Sequence, residues 1–145
     1  MLTDLDRLLF LDFDGVLHPN HCDPDQWFRL LPTLSNCLLE APIACRIVIS
    51  SSWRFHHDLR DLISRFPVLI QPRIIGATGD AHIGRHSRFQ EIKAYLNRCS
   101  DRIDWRALDD SAWEFPDACS ELVLCDGAKG LDDRVTGEIG TWLGL

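Results

Sequence analysis

Asp12 and Asp14 stand one residue apart in Asp12-Phe13-Asp14-Gly15, and a second acidic pair, Asp109-Asp110, precedes Ser111. Between them in the chain lies a run of hydroxyls followed by a cation, Ser50-Ser51-Ser52-Trp53-Arg54. Each group closes a short apolar run that reads as a β-strand, and in an open α/β sheet the carboxyl ends of the strands are where ligands bind. Four carboxylates brought together repel one another unless a cation lies among them, and an all-oxygen ligand set suits a hard cation, most simply Mg²⁺. An Asp after a strand is by itself a turn former or a helix cap. The combination, with Gly15 permitting a sharp turn after Asp14, points instead to metal-assisted chemistry.

The elements that must position these groups follow from periodicity. Apolar runs at Leu8 to Leu11, Arg46 to Ser50, Val68 to Ile70, Trp105 to Leu108 and Leu122 to Cys125 read as strands covered on both faces. Stretches of helical period lie between them. Leu59, Leu62, Ile63 and Phe66 form one helical stripe ended by Pro67, and Phe89, Ile92, Leu96 and Cys99 form another, with Ser87 as N-cap and Gln90 three residues on. Val135, Ile139 and Trp142 mark a C-terminal helix. Trp27, Leu30, Leu31, Leu34, Leu38 and Leu39 also have helical spacing, which Pro32 is expected to break or restart. Gly76, Gly79 and Gly84 predict a flexible loop. The alternation predicts a three-layer, doubly wound α/β fold with a mostly parallel sheet.

At 145 residues the chain is expected to form one domain, residues 1–145, large enough to fold without staples. Its 46% apolar and 26% charged residues exclude disorder and low complexity. A net charge of −7 disfavours nonspecific polyanion binding, although a bound cation and local arginines can reverse the potential at a cleft. The six cysteines show no CxxC or zinc-finger spacing, and the leading residues are acidic where a secretion signal needs positive charge. Reduced thiols, a cytoplasmic location and no membrane anchor are the expectation.

The segments LFLDFDGVLHP, IVISSSWR and WRALDD, in that order, resemble the haloacid dehalogenase (HAD) superfamily of phosphohydrolases. LDFDGVLHP followed by SSSWR is closer still to the small bacterial HAD domains associated with RNA-repair proteins. The resemblance runs from about Leu8 to Asp110 and extends toward Gly130-Leu131. It implies a HAD-like Rossmannoid fold and a phosphatase in which Asp12 attacks phosphorus to give an aspartyl-phosphate. Asp14 would protonate the leaving oxygen and then activate water. Mg²⁺ would be held by the Asp12 carboxylate, the Asp14 carbonyl and an acid of the last motif, Asp109 or Asp110. The phosphate would meet the hydroxyl of Ser50 or Ser51 and a cation at the start of the following helix, for which Arg85, Arg88 and Lys93 are candidates and Arg88 fits best. Lysine is commoner there in the superfamily.

The stretches Leu17 to Cys45 and Phe55 to Ser87 leave room for little beyond the sheet's own helices, so the resemblance implies an essentially capless enzyme. An open cleft suits a phosphate on a large molecule, such as a nucleic-acid end or a protein, or else a partner protein that closes it. A small-molecule or phosphoprotein phosphatase of the same mechanism is the alternative. A receiver-like phosphoacceptor or silent binding domain is another, though a receiver would carry a lone Asp where Ser50-Ser51 stands and has no use for Asp14. Trp53, Trp113 and Arg54 are the residues placed to contact a substrate beyond its phosphate, with core packing the plainer role for the tryptophans. His18 reads as a polar loop residue or a substrate contact, and His21, Asp23 and Asp25 as a turn leading into a helix.

Overall fold

The computed structural model describes residues 7–99 and 102–145; the acidic leading residues lie outside them. Five strands, β1 (Arg7–Leu11), β2 (Cys45–Ile49), β3 (Ile74–Ala77), β4 (Asp104–Asp109) and β5 (Leu122–Leu124), form one parallel sheet in the order β3-β2-β1-β4-β5. Their in-register neighbours, such as Phe10 beside Val48 and Ala107, put alternate residues on opposite faces. Leu9, Leu11, Ile47, Ile49 and Leu108 face α1 (Leu31–Glu40), α2 (Leu59–Ser64) and α4 (Asp133–Trp142), through Leu34, Leu38, Leu62, Val135 and Ile139. Leu8, Phe10, Val48 and Ala107 face α3 (Ser87–Asn97) through Ile92. The fold is a three-layer doubly wound α/β sandwich. No helix among the described residues is long and apolar enough to cross a membrane.

The strand order reverses beside β1: the chain steps outward through β2 and β3, then returns to place β4 on the other side of β1. That topological switch point is where crossovers leave on opposite faces and open a crevice at the strand ends. Asp12 follows β1 and Asp109 closes β4, so the two acids stand at its edge. Only short helical segments separate β1, β2 and β3, so no cap domain is inserted there.

Local rules explain most boundaries and some corrections. Pro32 lies in the first turn of α1, where its missing N–H has no intrahelical role, so it starts the helix. Val68 to Ile70 is not a strand. Pro67 begins a tight turn in which its carbonyl accepts from the Ile70 N–H, leaving Val68 and Leu69 exposed and Ile70 as a buried plug. The third strand comes later, and it absorbs Gly76, which is therefore no loop glycine: a Cβ there would press on the Tyr95 hydroxyl of α3. Ser87 does not cap α3. His86 holds the N-cap position in a left-handed conformation, and the Ser87 hydroxyl donates to Glu114 at 2.7 Å. All six cysteines are free.

Candidate active site

Strand parity decides which side chains can meet. Asp12, Ser50 and Asp109 each lie two residues beyond Phe10, Val48 and Ala107, the row that faces α3. The Asp12 N–H donates to the Leu108 carbonyl and the Ser50 N–H to the Leu11 carbonyl, so the pairing continues past the strand ends. Arg88 lies one turn before Ile92, on the side of α3 that packs against this row. The consequence is direct contact. Arg88 Nη1 is 3.3 Å from Asp12 Oδ1 and 3.3 Å from Asp109 Oδ2, its other amine is 3.6 Å from Glu114, and it donates to the Ser50 carbonyl. Arg85 and Lys93 are exposed and make no such contact.

The electrostatics follow from burial. Asp12 and Asp109 are almost fully buried. Loss of water, added to repulsion from Asp109, pushes the Asp12 carboxyl well above its ordinary range despite Arg88 and the Phe13 N–H. Burial likewise pushes Asp109 up to about 6, against the pull of Arg88 and the Ser111 N–H. Burial alone would weaken the Arg88 charge, yet Asp109, Asp12 and Glu114 outweigh it and raise its pKa. One cation thus faces more negative charge than it can neutralise.

Carboxylate oxygens of Asp12, Asp109 and Asp110 lie within 4.8 Å of one another. Two are buried and all are hard oxygen donors, which fits Mg²⁺. Asp110 follows the row by one residue, and its orientation is set by the Asn20 amide, which donates to Oδ2 at 2.6 Å. This carboxylate and amide wedge against Gly15 and Gly127, where a Cβ at either position would run into both. Gly15 also has φ +78°, in the left-handed region. Gly15→Ala is therefore expected to destabilise the protein by about 1–3 kcal/mol and to weaken its thermal response to Mg²⁺, both measurable by denaturation with and without the ion. Unchanged values would show that Asp110 has no fixed place in the cluster.

The two serines separate by their partners. Ser51 Oγ accepts from the Trp53 N–H at 3.2 Å, capping the 3-10 turn Ser52–Phe55, a role that Ser52 does not fill. Among the described residues Ser50 Oγ is buried without a partner, a costly state that an anion at this row would relieve. Thr78, after β3, carries a second buried and unpartnered hydroxyl.

Asp14 lies apart from the acid cluster. The turn after β1, closed by Phe13 carbonyl bonds from Val16 and Leu17, carries His18 back beside it. His18 Nε2 is 2.7 Å from Asp14 Oδ1, and the Trp53 indole N–H donates to Oδ2 at 3.1 Å. The bond from His18, helped by Trp53, holds the Asp14 carboxyl below its ordinary range against the effect of partial burial. Asp14, His18, Asn20, His21 and Trp27 line a cleft of about 270 Å³. The Asp14 side chain is thus no part of the cluster that Asp12, Asp109 and Asp110 form.

Several residues fall elsewhere than their sequence position suggests. Arg54 is internal: it donates to the Ser51 and Gly79 carbonyls and pairs with buried Glu91 at 2.8 Å, and Glu91 also accepts from the His82 N–H. Trp53 is buried, whereas Trp113 stays exposed beside Glu114. Asp23 leads into the 3-10 turn Pro24–Gln26. Sequence reasoning missed Asn20, Glu114 and Thr78. Only Asn20, close behind the Asp12-to-His18 segment, had any local signal.

An acidic cluster at the switch point of a five-stranded parallel sheet, with an arginine from the opposing helix, defines an α/β domain of the HAD type. The family model described as the HAD domain in Swiss Army Knife RNA repair proteins matches residues 8–135, and the chain belongs to that family. No curated protein and no solved structure matches the chain. The family points to a hydrolase of phosphatase type.

Proposed function

We propose that this protein is a Mg²⁺-dependent phosphomonoesterase acting through Asp12, with phosphorylated nucleic-acid ends as its substrates. The observation that carries the chemistry is the single row formed by Asp12, Asp109, the unpartnered Ser50 hydroxyl and Arg88. In this reading Arg88 and Ser50 orient the phosphate, and Asp12 attacks phosphorus to form an aspartyl-phosphate. Asp14 takes a proton from the water that hydrolyses the intermediate, the base role its ionised form suits, and in its protonated form gives one to the departing oxygen. Asp12, Asp109, Asp110 and the Asp14 carbonyl would hold Mg²⁺, which supplies positive charge against the phosphoryl oxygens when bound.

The family's description, which names RNA repair, supports a nucleic-acid end as substrate. So does the absence of an inserted cap domain, which leaves the strand ends open to a large molecule. Exposed Trp113, next to Glu114 of the site, is the residue placed to stack on a base. Arg54 and Trp53 are engaged internally, so contacts beyond the phosphate fall mainly to Trp113 and the rim of the cleft. The test compares kcat/KM for a phosphorylated oligonucleotide, the matching mononucleotide and a phosphopeptide at two salt concentrations. The oligonucleotide should be preferred, and its advantage should shrink with salt as neighbouring phosphates lose their counterion-release contribution. Preference for the mononucleotide or the phosphopeptide rejects the substrate assignment and leaves the phosphatase chemistry standing. No turnover of any phosphomonoester with Mg²⁺ rejects both.

A further inference from the structure

We propose that His18 and Trp53 are positioning residues for Asp14, a paired clamp that fixes the carboxylate through which protons pass to and from the reacting oxygens; this rests on the phosphatase reading above. The clamp is asymmetric in a revealing way. The Asp14 side chain is about half exposed (49%), whereas the His18 side chain that holds it is 1% exposed. A carboxylate with that much access to solvent needs no buried donor for stability, because water satisfies it. Two charge-assisted hydrogen bonds from interior groups instead restrict where it points.

The tautomer of His18 is settled by its other neighbour. The Phe28 N–H donates to Nδ1 at 3.1 Å, so Nδ1 presents a lone pair and Nε2 carries the proton donated to Asp14. Phe28 itself sits at φ +63°, a left-handed conformation that strains a side chain of its size. Strain at a residue whose N–H orients a histidine is a feature of a site held in one geometry. Trp53 is fixed as firmly. His57 stacks on it, with ring centroids 5.1 Å apart, and Trp27 and Phe28 meet it edge to face at 5.0 and 5.2 Å. The Arg65 guanidinium lies 5.4 Å from its ring. Neither donor can turn away without repacking this cage.

The clamp also links the nucleophile segment to the hydroxyl segment. Asp14 and His18 belong to the turn after β1, and Trp53 to the 3-10 turn capped by Ser51 after β2. The indole bond therefore ties the acid to the segment that carries Ser50.

The test is a double-mutant cycle on the full chain, using His18→Leu and Trp53→Phe singly and on an Asp14→Asn background, with an alkyl phosphomonoester as substrate. Each single variant should lower kcat by about tenfold to 10²-fold with KM changed little, because Asp14 acts on reacting oxygens and not on the bound phosphate. His18→Gln, which keeps an N–H donor, should recover part of the loss. On the Asp14→Asn background the same substitutions should cost almost nothing more. An independent readout needs no turnover: in a ¹H–¹⁵N spectrum the Trp53 indole signal, identified by its loss in Trp53→Phe, should shift in Asp14→Asn. Losses that persist in full without Asp14, a rise in KM at constant kcat, or an unmoved indole signal each overturn the clamp. If wild type turns over no phosphomonoester, the phosphatase reading fails and takes the catalytic role of the clamp with it, while the spectrum still reports separately whether the bond exists.

Discussion

Asp12→Asn is expected to abolish turnover, by about 10⁴-fold or more, and at the same time to raise the melting temperature of the metal-free protein. The first effect follows from chemistry, since an amide cannot form the acyl-phosphate that divides the hydrolysis into two steps. The second follows from the environment of the side chain. Burial and the neighbouring Asp109 make the ionised form of Asp12 unfavourable, so a neutral isostere removes a charge that the folded state holds at a cost. Asparagine retains the favourable contacts, because its Oδ1 still accepts from the Phe13 N–H and faces Arg88, and its amide can donate toward Asp109. Arg88 keeps Asp109 and Glu114 as partners. In a chain of this size 1 kcal/mol moves the melting temperature by roughly 4 °C, and the expected rise is of that order. A thermal melt and an assay with an activated ester check the two halves. Retained turnover would remove Asp12 as nucleophile; a lower melting temperature would mean that its pairing with Arg88 outweighs the buried repulsion.

Chelation should be as severe as loss of the nucleophile: EDTA is expected to stop turnover and Mg²⁺ to restore it. Ca²⁺ should stabilise the fold but support little catalysis, because its larger and looser coordination shell misplaces nucleophile and phosphate. The stabilisation by Mg²⁺ should also depend on pH with a definite sign. Asp109 is raised to about 6 and Asp12 is raised as well, so the metal-free folded state binds protons that the unfolded chain releases near its ordinary carboxylate range. Stability of the metal-free protein therefore falls as pH rises from about 4 through 6, where Asp109 becomes ionised, and the raised Asp12 acts in the same direction. Asp14 has the opposite sign, but its stabilising contribution is lost only as pH falls through its depressed value, below this window. The Mg²⁺-induced rise in melting temperature should be small at pH 5 and several-fold larger at pH 7.5 for the same free ion, since protons compete for the same oxygens. Equal shifts at both pH values would show that Asp12 and Asp109 are not the ligands, and full turnover in EDTA would exclude a metal-assisted site.

Much of this protein is local enough to be read from the chain. The acid pairs, the serine run and the alternation of apolar runs with helical stripes identify the α/β class and the ends of the strands that matter, because period-two and period-3.6 patterns are set by neighbours along the chain. Arg88 could also be approached, since the family resemblance directs attention to a cation at the start of the helix before β4. The third strand could not be read so easily. Val68 to Ile70 has the better apolar run, but Pro67 closes it into a turn, and Ile74 to Ala77 carries a glycine whose purpose is the approach of Tyr95 from another layer. Placing Ser50, and not Ser51, on the face of Asp12 and Asp109 required the register of β2 against β1, because shifting by one residue moves a side chain to the other face of the sheet. Bringing Asn20 to Asp110 and Trp53 to Asp14 required the strand order itself: those pairs are 90 and 39 residues apart, and only a sheet with β1 between β2 and β4 closes both distances. Sequence thus determined which chemical groups are present and that they end strands, whereas the tertiary structure decided which of them share a face, for hydrogen bonds and ion pairs act over a few ångströms and the chain supplies that proximity only by folding.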